Sequence, residues 1–234
     1  PASDAELLLR AYDFAREKHA GQKRRTGEDY IEHPVAVAGI LAELGMDDIT
    51  IAAGLLHDVP EDCGVSFEEM LARFGPEVAQ LVEGVTKLKQ IDFTDERQKQ
   101  AENLRKLFLA MAGDVRVIII KLADRMHNIR TLTPFPEQRR REIAQETLSI
   151  FAPIAHRLGI WRVKWELEDC SFKFLEPVIY KQIHALVQRT RAERARLVQR
   201  AIEELQAQLK ASGIQAEVAG RAKHFYSIYQ KMVV

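Results

Sequence analysis

The chain has 234 residues, 47% of them hydrophobic and 29% charged, enough for one sizeable domain and part of a second, with a core that needs no disulfide staples. Lysine plus arginine equals aspartate plus glutamate at 34 each, which argues against direct nucleic-acid binding or a global pull onto acidic membranes; local basic clusters must carry any anion binding. Only two cysteines, Cys63 and Cys170, and no signal-peptide or membrane-length apolar run point to a cytoplasmic protein, and the ends at Pro1 and Val234 to an excerpt of a longer one.

Ser3 and Glu6 form a capping box for a first helix to about His19, with Leu7, Ala11, Phe14 and Ala15 at helical spacing. Gly21 ends it. Residues 22–30 read as a loop presenting Lys23, Arg24 and Arg25 in succession. Pro34 suits the first turn of a second helix and leaves His33 just outside it, with Val35, Val37, Ala38, Leu41 and Leu44 leading to a stop at Gly45. Asp47 or Asp48 caps a third, whose Ile51, Ala52, Leu55 and Leu56 deliver His57 and Asp58 at its far end. Pro60 disfavours helical geometry at Val59, so the helix ends or restarts there.

Ser66 and Glu69 open a short helix to Phe74, ahead of Gly75-Pro76. Helices over about 76–89 and 95–112 follow, the second capped by Thr94, with a loop from Lys89 to Phe93 between them. Val115 to Asn128 holds a β-branched run that alone suggests a buried strand, but Val117, Ile120, Ala123 and His127 share a helical face. Helical neighbours decide for helix. On it Asp124, Asn128 and Thr131 stack at spacings of four and three. Helical pattern continues from Pro136 through Phe151, Gly159 marks a break, and two more helices are expected over 161–175 and 176–211. Ile214 to Val218 alternates weakly and is the single candidate strand. After it, 220–227 is a basic, aromatic segment entering another helix.

The costliest stretch runs from Gly54 to Asp62, where His57, Asp58, Glu61 and Asp62 place one imidazole and three carboxylates behind an apolar run. Acids so crowded repel unless a cation sits among them. With His33 and Asp124, the H-D pair gives two imidazoles and two carboxylates, expected on separate helix ends. That donor set suits manganese, iron, cobalt or zinc better than calcium. His19, His127, His156, Trp161 and Trp165 read as structural.

The ordered pattern His33, His57-Asp58, Asp124 resembles the HD superfamily of metal-dependent phosphohydrolases, an all-helical fold in which these positions hold one ion. Longer stretches are similar to the hydrolase domain of the RelA/SpoT homologues, enzymes that make and destroy the alarmone (p)ppGpp: Arg24-Arg25-Thr26-Gly27-Glu28, Tyr30 to Pro34, His57 to Asp62 and Lys121 to Leu132. Ala152 to Gly159 with Lys164 to Asp169 resembles that family's connecting helices, and Gly220 to Met232 the start of its synthetase core.

The resemblance implies an all-α HD-domain bundle followed by connecting helices and the beginning of an α/β synthetase domain, divided as 1–155, 156–175 and 176–234. It implies Mn2+ on His33, His57, Asp58 and Asp124, and Glu61 and Asp62 as the catalytic acid pair. Substrate would lie against Arg24, Arg25, Thr26, Tyr30, Lys121, Asn128 and Thr131. The reaction would release pyrophosphate from the 3′ position of (p)ppGpp, leaving GDP or GTP, in the stringent response. Arg221, Lys223, Ser227 and Lys231 would be part of a synthetase nucleotide site, cut off before it is complete, so that ATP and GDP binding is partial and no synthesis is expected. A catalytically silent module that binds alarmone and regulates the synthetase half is the alternative. Two residues depart from the family pattern: Pro60 replaces an aliphatic residue, with the prospect of re-aiming Glu61 and Asp62, and Cys63 replaces a threonine.

Overall fold

A computed structural model describes residues 4–89, 113–187 and 191–233. The helix expected over 95–112, its Thr94 cap, most of the preceding loop, and Ser3 lie outside these residues. Every regular element described is helical, and Lys23 and Asp29 form an isolated antiparallel bridge in the first loop.

Helix α1 (Ala5–Lys18) is capped by Asp4, whose side chain accepts from the Leu7 amide at 3.0 Å. Helices α2 (Glu32–Glu43) and α3 (Asp48–Leu56) follow, the latter capped by Asp47, which accepts from both the amide and the hydroxyl of Thr50. In α3, Thr50 and Ala52 through Leu56 are all buried, as befits a helix apolar on every side. It is the central rod, packed by α1, α2, and the later α5 (Phe67–Lys89) and α6 (Val115–Arg130). Gly54 allows the closest approach, since a Cβ there would sit 2.4 Å from Leu41 Cδ1 on α2. This packing carries the end of α3, and so His57 and Asp58, into the interior.

The chain restarts after Asp58 as the short α4 (Val59–Cys63), with Pro60 in its first turn, where no intrahelical donor is lost. The Asp62 amide still reaches the Asp58 carbonyl at 2.9 Å, so Pro60 leaves the turn intact. The Ser66 hydroxyl accepts from the Glu69 amide as expected, and the two helices predicted on either side of Gly75 are both present within α5, separated by that residue's non-helical backbone at φ 81°, ψ 173°. Helix α6 confirms the helical reading of the β-branched run. Asp114 caps it, and Val117, Ile118 and Ile120 are buried, packing that outweighs their modest helix propensity.

Helix α7 (Glu137–Glu146) runs through a π-helical turn (Thr147–Phe151) into α8 (Ala152–Arg157). Helix α9 (Trp161–Leu175) packs across α6, α7 and α8, while α10 (Pro177–Leu186) and α12 (Phe225–Val233) rest on α9. The helix expected over 176–211 is two: α10 stops at Leu186, Val187 leaves helical geometry at φ −83°, ψ 77°, and α11 spans Arg191–Ala211. The break coincides with an interruption of the apolar spacing, since residues 188–191 are Gln, Arg, Thr and Arg. The candidate strand at 214–218 is also absent. Ile214 through Glu217 are exposed, and among the described residues no neighbouring strand offers a ladder to their backbone groups. No described helix is long and apolar enough to cross a membrane.

Candidate metal centre

Four side chains far apart in sequence meet beneath the loop that precedes α2. They are not all at helix ends, as the sequence suggested. His33 lies inside the first turn of α2, His57 and Asp58 bridge the α3–α4 junction, and Asp124 sits in the interior of α6, on its inward face. All four are at most 3% exposed.

His33 Nε2 lies 3.3 Å from both Asp58 Oδ2 and Asp124 Oδ1. His57 Nε2 is 3.1 Å from Asp58 Oδ1 and 4.0 Å from Asp124 Oδ1. Donor atoms of His33, His57 and Asp58 all fall within 4.8 Å of one another. On its far side His57 Nδ1 is 2.7 Å from the Gly54 carbonyl, which only accepts; a proton is therefore on Nδ1, and Nε2 is the ring nitrogen that faces the carboxylates. Two ring nitrogens and two carboxylates aimed at one another, buried, fit a divalent cation.

Burial disfavours charge on Asp124 and on the His33 ring alike, and their neighbours oppose that effect. The Lys121 ammonium, 2.7 Å from Asp124 Oδ2, and the His33 ring hold Asp124 well below the usual carboxylate range. Burial opposes protonation of His33, but its contacts with Asp124 and Asp58 outweigh this and raise it.

The expected substrate residues divide. Arg24 donates to Asn128 Oδ1 at 2.8 Å and reaches His127 Nδ1 at 2.9 Å; Asn128 in turn donates to Asp124 Oδ1 at 2.5 Å. The Tyr30 hydroxyl donates to Asp58 Oδ2 at 2.9 Å, and burial followed by the charges of Asp58 and Asp62 pushes it above the usual phenol range. Lys121, expected beside substrate, is buried and paired with Asp124. Arg25 is exposed and stacks over Phe135, Thr26 donates to Glu28, and the Thr131 hydroxyl bonds the His127 carbonyl at the end of α6. Glu61 and Asp62 are exposed on α4, at the rim of the buried centre. Of the other cations, Arg125 forks onto Glu146 and Arg130 pairs with Glu166, so both hold helices together.

His127 was read as structural from the sequence, yet its Nδ1 lies 2.8 Å from His33 Nδ1. Burial, then the charges of His33 and Arg24, lowers it to about 4. The overlooked signal was its place one turn from Asp124.

The segment expected to bind synthetase nucleotides lies against α9. Arg221 stands over both Trp161 and Trp165, at 5.3 and 5.4 Å, and Ser227 bonds His224. His224 is buried against Glu168 at 2.8 Å. Lys223 and Lys231 are exposed neighbours, and the Lys231 ammonium holds Lys223 below the usual lysine range.

The family model described as HD domain matches residues 11–161, about two thirds of the chain and all four buried donors. The chain belongs to the HD domain family. This HD domain chain is 54% identical over 227 residues to a Synechocystis protein named probable guanosine-3′,5′-bis(diphosphate) 3′-pyrophosphohydrolase, covering 97% of the chain and 30% of the relative. It is 49% identical over its full length to the Escherichia coli K12 bifunctional (p)ppGpp synthase/hydrolase SpoT, covering 33% of that protein. A Streptomyces coelicolor protein named GTP pyrophosphokinase is 49% identical over 232 residues, 99% of this chain and 27% of its own. The HD domain chain thus spans about a third of the length of these curated relatives. A solved structure titled as a metazoan ortholog of SpoT that hydrolyzes ppGpp shares the fold, with a TM-score of 0.50 and 24% identity over 78% of this chain and 98% of its own.

Proposed function

We propose that this HD domain hydrolyses (p)ppGpp at its 3′ diphosphate, releasing pyrophosphate and GDP or GTP. The observation that carries the proposal is the buried meeting of His33, His57, Asp58 and Asp124 directly beneath Arg24 and Asn128. The names of relatives about 50% identical over nearly the whole chain supply the substrate class. Since those names include both hydrolases and a pyrophosphokinase, the phosphohydrolase-type donor set favours hydrolysis.

His33, His57, Asp58 and Asp124 would hold manganese, which when bound polarises a phosphoryl oxygen and acidifies water. Glu61 and Asp62, one turn beyond Asp58 and open to solvent, orient the attacking water and take its proton, a contribution of roughly 10²- to 10⁴-fold. Asp62 lies beside the Tyr30 hydroxyl, which itself donates to Asp58, so the rim acids and the buried ligands share one hydrogen-bonded frame. Arg24 and Arg25 bring positive charge to an acid-rich site that must receive diphosphates, and arginine forks onto phosphate or stacks on a purine. Asn128 and Thr131 flank the same face of α6 as Asp124.

Residues 1–155 would form the hydrolase, 156–175 the connecting helices and 176–234 the first part of a synthetase domain. Arg221, Lys223, Ser227 and Lys231 would belong to an incomplete nucleotide site there.

The test is to incubate the purified chain with ppGpp and manganese, beside Asp58→Ala and Glu61→Ala. Pyrophosphate plus GDP, abolished in both variants, is the expected result. Orthophosphate as product would contradict the bond assignment, and binding without turnover would favour a regulatory module.

A further inference from the structure

The guanidinium of Arg24 only donates hydrogen bonds, since it stays protonated and has no acceptor. Its Nη1 lies 2.9 Å from His127 Nδ1, so that ring nitrogen is bare and accepting. The same His127 nitrogen lies 2.8 Å from His33 Nδ1, which must therefore be the N–H side of the His33 ring. With the proton there, Nε2, the atom facing Asp58 and Asp124, is the ring nitrogen left to hold a cation. His57 reaches the same state through the Gly54 carbonyl.

A second arm leaves the same guanidinium. Arg24 Nη2 donates to Asn128 Oδ1 at 2.8 Å, which turns the amide nitrogen of Asn128 toward Asp124 Oδ1, 2.5 Å away. One arginine thus fixes the ring state of His33 through His127 and steadies Asp124 through Asn128.

We propose that Arg24, with His127 and Asn128, is a positioning device for the metal centre, ordering His33 and Asp124 for a divalent cation before any nucleotide arrives. The inference rests on the reading of His33, His57, Asp58 and Asp124 as metal ligands. It gives Arg24 a duty apart from contact with substrate, and it makes His127 a positioning residue. Partners that orient metal ligands typically contribute 10- to 100-fold in affinity.

Charge alone predicts the opposite sign for one variant. Removing a cation close to a cation site strengthens Mn2+ binding by Coulomb's law, whereas loss of the positioning device weakens it. The experiment is calorimetric titration of Mn2+ into the nucleotide-free chain, with melting in chelator as a check on folding. Arg24→Met is expected to bind roughly tenfold more weakly and His127→Phe roughly 10- to 100-fold more weakly. His127→Asn, which places a carbonyl oxygen near the former Nδ1, is expected to recover most of the loss. Arg24→Met binding as tightly as the parent chain, or more tightly, overturns the proposal; so does His127→Asn binding as weakly as His127→Phe. If His127→Phe fails to fold, the half-buried loop variant Arg24→Met decides alone. A parent chain that binds no Mn2+ overturns the metal-centre reading itself, and the positioning device with it.

Discussion

His57 Nδ1 donates to the carbonyl of Gly54 at 2.7 Å, at a position on α3 where a Cβ would lie 2.4 Å from Leu41 Cδ1. The residue that lets α2 and α3 approach is thus the one that orients a candidate ligand. Gly54→Ala is expected to cost about 1–3 kcal/mol through overpacking against a fully buried Leu41. It should weaken Mn2+ binding in parallel, because the carbonyl moves with the backbone. Urea denaturation checks the first part and metal titration the second; an unchanged midpoint would mean Leu41 yields freely.

A ligand that binds only the folded state stabilises it, by about 2.7 kcal/mol at a hundred times its Kd. Manganese at that excess is therefore expected to raise the melting temperature of the chain, with chelator reversing the rise. Asp58→Asn should show no rise. Scanning calorimetry with and without metal reads both, and equal shifts in the two proteins would place the binding elsewhere.

Glu168 joins α9 to the segment leading into α12 through His224, and Lys164, one turn earlier on α9, donates to the same carboxylate. Burial works to raise its pKa, but hydrogen bonds from His224 and Lys164 outweigh that and lower it. A carboxylate depressed in the folded state stabilises fully above its unfolded value and loses that contribution as pH falls through the lower folded value. Glu168→Gln is expected to cost about 2 kcal/mol near neutrality. The gap from the parent chain should close as pH drops below the ordinary glutamate range. Denaturation at a series of pH values checks this, and a gap that stays constant into acid would rule out the ion pair as its source.

The guanidinium of Arg221 lies over Trp161 and Trp165, the two tryptophans of the chain. Arg221→Ala is expected to change their emission while costing about 1 kcal/mol or less, the usual worth of an exposed cation–π contact. Fluorescence and thermal melts on one sample check it; an identical spectrum would show that the stack does not persist in solution.

Most of the helices were legible because their signals are local: Asp47 and Ser66 cap where expected, and Gly75 bends the chain at φ 81°. The helix over Val115–Arg130 was legible only by context, since its β-branched run is read differently by propensity and by period. The absence of a strand after Ile214 depends on what lies alongside that segment, which periodicity does not record, whereas the break at Val187 falls where the polar residues 188–191 interrupt the apolar spacing. In the site, residue types pointed to the four donors. Their convergence from one first turn, one helix junction and one helix interior is a matter of packing around α3. His127 escaped notice for the same reason, because its partner His33 is 94 positions away.

The most direct test of the central claim is anomalous diffraction at the manganese edge from crystals of this chain grown with MnCl2. The account predicts a single strong peak roughly 2.2 Å from Nε2 of His33, Nε2 of His57 and the carboxylates of Asp58 and Asp124. A map with no peak among those side chains, or with the ion bound elsewhere while they contact only one another, would contradict it.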